Sequence, residues 1–355
     1  LSSIRSTAQD SEPVRDFVNF VALNELPMSL LQRIFQQYTG FLRSLKAVYV
    51  INNLLHAGKL LRNRALYHRF GVSKSVFGPI GFSDFKDNPH SDEAPWLDRP
   101  ERLALLENNA EFRAFPPELQ AEIRRFESDG YMILPRFFSE EDTALLNREV
   151  DEMLESGKAG YNFTGRKIFN LWESSQLARN RFFRNPELAN LLSFLLGRRV
   201  IPFQSLNFTR GSEQRAHSDA IHMTTQPQGF LIATWIALED IDEGCGPLAY
   251  YPGSHRLPFV STEDYNSGNG RFTIGSDSNR LYEDKIGEII AQYGLEKQVF
   301  LAKRGDVLIW HSNLLHAGTR IIREGATRRS MVCHYYAENA ICYHEMSQRP
   351  ALLPA

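Results

Sequence analysis

The sequence predicts an α+β protein in which helices come first and a β-rich sandwich or barrel follows. Two observations predict it. Apolar residues recur at helical spacing through the first part of the chain, and after Gly197 the pattern changes to short aromatic and β-branched runs separated by turns.

Taken in order, residues 1 to about 80 read as mostly helical, with Leu30, Ile34, Tyr38, Leu42 and Leu45 three or four positions apart. The most apolar stretch, Leu45 to Leu61, is broken by Lys46, Asn52, Asn53, His56 and Lys59, which makes it an amphipathic helix and not a membrane span. From Ser83 to Pro117 the chain is rich in Pro, Asp and Asn and reads as a linker or surface loop. A helix over Glu118–Glu127 then leads through Asp129-Gly130 into a short strand, Tyr131–Leu134. Ser139, with Asp142 three positions on, opens a second helix that ends near Ser156-Gly157. Strands follow at Val200–Phe208, Phe230–Leu238, Pro247–Tyr251, Val307–Trp310 and Ser330–Tyr336. Turns at Gly244-Cys245-Gly246-Pro247, Pro252-Gly253-Ser254 and Arg304-Gly305-Asp306 separate them, and Tyr282–Tyr293 reads as an inserted helix.

Composition narrows the function classes. With 355 residues, 43% of them hydrophobic, the chain can bury a large core. A net charge of −2 gives no global attraction to nucleic acid or anionic membrane, so a small-molecule partner is expected. The three cysteines, Cys245, Cys333 and Cys342, lack CxxC spacing and suit a reducing cytoplasm better than a disulfide framework. The first residues lack the apolar run of a secretory signal, and a cytoplasmic location is expected.

The sharpest chemical feature is His217-Ser218-Asp219. In an extended strand, residues i and i+2 project from one face, so imidazole and carboxylate can reach one ion. Two histidines and a carboxylate on one face suit Fe(II) oxygenases, and the third ligand must come from elsewhere. His316 is the candidate: it follows an apolar strand at a small-residue turn, and Arg328 stands twelve positions later. His311 is its nearest competitor and lacks that turn and arginine spacing. An arginine beside the site has a use, because its planar fork binds a carboxylate bidentately, as the far end of a 2-oxo diacid requires. Of Arg328 and Arg329, one is expected to face the pocket and the other solvent. His222 could face substrate or sit at the pocket rim, His255 braces a turn, and His334 is a core or supporting residue. His56, His68 and His90 are not expected as ligands.

The order Asp129-Gly130-Tyr131, Phe137-Phe138-Ser139-Glu140, His217-Ser218-Asp219, Tyr251-Pro252-Gly253-Ser254-His255, Gly305-Asp306, His316 and Arg328 resembles the phytanoyl-CoA dioxygenase family over residues 118 to 345. The resemblance implies a double-stranded β-helix (jelly-roll, cupin-like) core flanked by helices, with a helical N-terminal extension. It divides the chain into an extension and linker (1–117), an oxygenase domain (118–345) and a tail (346–355). It implies Fe(II) on His217, Asp219 and His316, with 2-oxoglutarate and O2 as co-substrates. Arg328 would bind the far carboxylate of 2-oxoglutarate, Trp235 would line its pocket, and Gln204, Asn207 and Thr319 would supply polar contacts. The activity implied is hydroxylation of an unactivated C–H bond in a lipid, natural-product or glycan precursor, with release of succinate and CO2. Because Asp219 occupies the carboxylate position, halogenation is disfavoured. The competing readings are a non-catalytic β-helix that binds a ligand, and a zinc hydrolase with similar ligands. The N-terminal helices could cap the pocket or form a homodimer.

Overall fold

The computed structural model describes residues 44–352, apart from 87, 89, 91, 92 and 162–165. The helical spacing of Leu30, Ile34, Tyr38 and Leu42 lies outside the described residues. Twelve strands are described: β1 (Tyr131–Leu134), β2 (Lys167–Phe169), β3 (Val200–Phe208), β4 (Thr224–Gln226), β5 (Leu231–Ala237), β6 (Leu248–Tyr250), β7 (Gln298–Phe300), β8 (Val307–His311), β9 (His316–Gly318), β10 (Ser330–Ala337), β11 (Ile341–His344) and β12 (Arg349–Pro350). A six-stranded sheet of order β1-β8-β5-β10-β3-β2 carries the core, faced by two three-stranded sheets, β7-β6-β9 and β12-β11-β4. All pairings are antiparallel, and the whole is the expected double-stranded β-helix.

The large sheet is apolar on both faces, which is why its central strands read as continuous hydrophobic runs. Alternation sorts the side chains. Met331, Cys333 and Tyr335 of β10, Ile232 and Ile236 of β5, and Val307 and Ile309 of β8 pack outward against helices. Val332, Trp235, Leu308 and Trp310 point inward, toward Leu248, Tyr250 and Phe300 of the small sheet. The outer helices have ordinary end signals. Pro117–Asp129 starts on a proline and stops at Gly130 (φ +83°), and Glu140–Glu155 is capped by Ser139 Oγ, which accepts from the Asp142 N–H at 3.0 Å. Pro186–Leu196, a helix the periodicity reading passed over, has Asn185 as its cap and Gly197 as its stop.

One expectation needs correction. The segment around 83–117 is not a surface linker: Leu97, Leu106 and Phe112 are fully buried in the main core, and the Trp96 indole N–H donates to the Phe194 carbonyl at 2.7 Å. Proline and asparagine marked an irregular path there, but irregular backbone can still carry apolar anchors inward. Within the stretch expected as a C-terminal tail, Arg349–Pro350 pair with β11 as β12. Part of the N-terminal extension also packs on this small sheet, where Leu60, Tyr67, Phe70 and Phe85 meet Ile341 and Tyr343.

Gly305 marks a point where the path of the chain depends on a missing side chain. Its φ is +86°, and a Cβ there would lie 2.0 Å from the Phe138 carbonyl oxygen. That approach joins the helical layer to β8. Gly305→Ala should therefore lower stability in urea denaturation by upward of about 2 kcal/mol, combining left-handed strain with a backbone clash.

Candidate metal centre

His217 and His316 are held side by side by the backbone. Each peptide N–H donates to the other's carbonyl, at 3.0 and 2.9 Å, in an isolated bridge. His316 also opens β9, opposite Tyr250 of β6, so it sits on a strand and not merely at a turn. Asp219 differs from expectation in another way. Ser218 is extended (φ −106°, ψ 151°), but Asp219 begins a short 3-10 turn, Asp219–Ile221. The i, i+2 relation still delivers both side chains to one place, because only the residue between them must be extended.

The three side chains are buried, and one ligating atom from each lies within 4.8 Å of the others. The nitrogens are already sorted. His217 Nδ1 lies 2.8 Å from the Arg215 carbonyl and His316 Nδ1 3.0 Å from the Leu314 carbonyl. A carbonyl only accepts, so each Nδ1 carries the proton and each Nε2 is left with its lone pair for a metal. Burial, and after it His316 and His222, hold the basicity of His217 well below the ordinary range, so it stays neutral. Burial opposes the charge on Asp219, yet His316 and His334 outweigh it and the carboxyl lies well below the usual carboxylate range. Its Oδ1 is 3.7 Å from His316 Nε2, while Oδ2 accepts from the Trp310 indole at 2.8 Å. Among the described residues, this is the one group of three such side chains placed to hold an ion.

Trp310 thus aims the carboxylate. Trp310→Phe keeps the ring packing and removes the donor, and should weaken Fe(II) binding roughly 10- to 100-fold in an anaerobic titration. The inserted helix Ser278–Tyr293 has a similar positioning role, since the Tyr282 hydroxyl accepts from the Ser218 N–H at 3.0 Å.

The cavity that contains the triad runs between the large sheet and both small ones. At one end lies Arg328, 2% exposed, stacked near Phe208 and Trp235 with ring-centroid distances of 5.4 and 5.9 Å. Its Nη1 donates to the Gly246 carbonyl, but among the described residues Nε has no partner. Burial pushes its pKa down to about 10. A buried cation with an unfilled donor fits a carboxylate. Arg329 instead meets Asp151 at 2.9 Å on the outer face, which settles which arginine faces the cavity.

Trp235 and Gln204 line the cavity. Asn207 does not: three residues from Gln204 on the same strand, it faces the other side of the sheet, and Leu206 and Phe208 line the cavity instead. Thr319 also lies off the lining, its hydroxyl donating to the Pro247 carbonyl at 2.9 Å. His311, the competitor for His316, is turned away toward Asp98 (3.1 Å) and accepts from the Asn313 N–H. His255 braces a turn, its Nε2 3.3 Å from the Glu127 carbonyl, and burial depresses its pKa to about 3. His334 lies 3.5 Å from Asp219 Oδ2, and His222 lines the cavity. Lys167, His344 and Arg349 also line it and carried no sequence signal, because their strands are only two to four residues long.

Two histidines and one carboxylate converging inside a jelly roll have the donor set that suits a mononuclear iron centre. The chain belongs to the phytanoyl-CoA dioxygenase family, which matches it over residues 126–330; this is a family of Fe(II)- and 2-oxoglutarate-dependent oxygenases, so the protein is an enzyme of that class. Among its relatives, an ectoine dioxygenase of Stutzerimonas stutzeri is 24% identical over 294 residues, covering 76% of this chain and 94% of the relative. An ectoine dioxygenase of Bordetella parapertussis is 32% identical over 237 residues, covering 62% and 76%. In fold, the chain is similar to the α-ketoglutarate-dependent carbocyclase SnoK from nogalamycin biosynthesis, at 17% identity and a TM-score of 0.51, covering 68% of this chain and 97% of that one. Among the described residues, no helix is long and apolar enough to cross a membrane.

Proposed function

We propose that this protein is a dioxygenase that hydroxylates a C–H bond of a small polar molecule, with Fe(II) held by His217 Nε2, Asp219 and His316 Nε2 and with 2-oxoglutarate anchored by Arg328. The observation that carries this reading is the pairing of two features in one cavity: a preorganised two-histidine, one-carboxylate cluster, and a fully buried arginine with an unfilled donor at its end. Fe(II) with bound 2-oxoglutarate would supply the oxidation of substrate by O2, with succinate and CO2 as co-products.

The protein's own residues do the rest. Arg328 fixes the direction in which the diacid lies, and its bidentate fork rejects a monoacid that leaves it unpaired. Phe208, Trp235, Leu248 and Val332 keep water from that end. Trp310 and the backbone carbonyls at Arg215 and Leu314 fix the ligand atoms, so that little reorganisation is needed on loading. A zinc hydrolase would use the same three ligands but has no use for Arg328. Relatives named for ectoine make that compound the first to test.

The experiment measures succinate formed from 2-oxoglutarate in the presence of ectoine. The reading requires dependence on Fe(II) and on O2, with no activity on replacement of Fe(II) by Zn(II). Succinate formation without iron, or none under any loading together with no Fe(II) binding, would sink it.

A further inference from the structure

The helices that precede the oxygenase core carry their polarity inverted. In Lys46–Leu55 the buried side is polar, made of Lys46, Tyr49 and Asn53. Lys46 Nζ donates to the Gly270 carbonyl at 2.7 Å and to Gln348 Oε1 at 2.6 Å, and Asn53 Nδ2 donates to the Phe77 carbonyl at 2.9 Å. The opposite side is apolar: Ala47, Ile51, Leu54 and Leu55 lie at helical spacing and are exposed, the last three by 61, 53 and 79%. A helix packed on a protein core ordinarily does the reverse. Two short helices, Ala57–Leu60 and Asn63–Arg69, extend this surface. Leu60, Tyr67 and Phe70 turn inward to Ile341 and Tyr343 of β11. Leu61 is instead 51% exposed, beside Arg64 and Ala65, three and four positions on.

Charge is segregated to the same region. The chain holds 42 acidic and 40 basic residues, yet from residue 26 to residue 83 there are eight Lys and Arg and no Asp or Glu. Arg69 is paired with Glu93, Lys74 with Asp84, and Lys46 is buried, so these three add little outside. Lys59, Arg62 and Arg64 are exposed within three positions of Leu61.

We propose that this surface docks on an anionic lipid bilayer, with Ile51, Leu54, Leu55 and Leu61 at the acyl chains and Lys59 and Arg64 at the headgroup phosphates. Apolar side chains flanked by cations are what a helix lying in the bilayer surface needs. Either feature alone would fit another partner. Nucleic acid would use the cations and leave the leucines in water, and an apolar protein interface would use the leucines without a run of like charge. Both together favour lipid. No helix crosses the bilayer in this arrangement; the helices lie on it, outside the small sheet that β11 shares with the cavity. Docking of this kind is independent of the oxygenase chemistry.

The test is co-sedimentation of the full chain with vesicles of phosphatidylcholine alone, and of phosphatidylcholine mixed equally with phosphatidylserine. Binding to the mixed vesicles is expected to be at least about tenfold tighter and to weaken as salt is raised. Lys59→Gln with Arg64→Gln should reduce it roughly 30-fold. Leu54→Ser with Leu55→Ser should reduce it at least about tenfold while circular dichroism stays that of wild type. Leu61→Ser takes their place should that double variant not fold. Equal binding to both vesicles would overturn the proposal, as would binding that survives the leucine substitutions, the behaviour of a purely ionic attachment. Vesicles left unbound would also overturn it. A dimer lost in sedimentation velocity, or a lowered Tm, for the leucine variants would then assign the face to a second copy or to residues 1–43.

Discussion

Asp219→Ala should lose Fe(II) affinity by more than about 100-fold, the upper end of what removal of an outer partner costs, and with it all iron-dependent succinate formation. The reason is the distribution of charge in the site. His217 and His316 each hold Nδ1 against a carbonyl and would offer Nε2 to the ion, so among the described residues Asp219 is the one carboxylate of the group. Its loss leaves a divalent cation facing two imidazoles in a buried site, with the Trp310 N–H also left without its acceptor. Fold and metal loss are separable: circular dichroism of the metal-free variant should match wild type while the Fe(II) titration fails. Retained Fe(II) affinity in a folded Asp219→Ala protein would place the metal elsewhere.

Arg328→Met should act on the other co-substrate. Truncating one partner of a buried, hydrogen-bonded charge pair costs about 2–5 kcal/mol, which corresponds to a rise of roughly 30- to several thousand-fold in the KM for 2-oxoglutarate. Fe(II) affinity without 2-oxoglutarate should stay near wild type, because Arg328 belongs to the end of the cavity built by β6 and not to the triad. The variant should fold at least as well as wild type in the absence of 2-oxoglutarate. Removing a fully buried cation with an unsatisfied donor relieves a desolvation penalty, and Met fills similar volume between Phe208 and Trp235. Thermal melts then give a sign test. 2-Oxoglutarate with Fe(II) should raise the Tm of wild type, and should add nothing beyond Fe(II) for the variant.

Much of this site was legible in the sequence because its parts are local. The pair His217 and Asp219 needs only one extended residue between them, and that survives although Asp219 starts a 3-10 turn. The long strands β3, β5 and β10 were readable from their aromatic and β-branched runs. The helices over 117–129 and 140–155 were readable from Gly130 and from the Ser139 cap. What escaped depends on register and on pairing between distant segments. Gln204 and Asn207 looked equivalent as polar residues on one strand, but a spacing of three puts them on opposite faces. Arg328 and Arg329 are adjacent and also lie on opposite faces, one inside the cavity and one on Asp151. His344 and Arg349 come together only because β11 and β12 pair, and strands of four and two residues carry no periodic signal. Leu97, Leu106 and Phe112 were hidden by the prolines and asparagines around them, which report backbone path and not burial.

The position of bound iron is the most direct test of the His217, Asp219 and His316 centre. Crystals grown anaerobically with Fe(II) and 2-oxoglutarate, measured on both sides of the iron absorption edge, should give an anomalous peak bonded to His217 Nε2, His316 Nε2 and the Asp219 carboxylate, with a diacid running from that peak to the Arg328 guanidinium. A peak ligated by other residues, or a diacid whose far carboxylate lies away from Arg328, would contradict it.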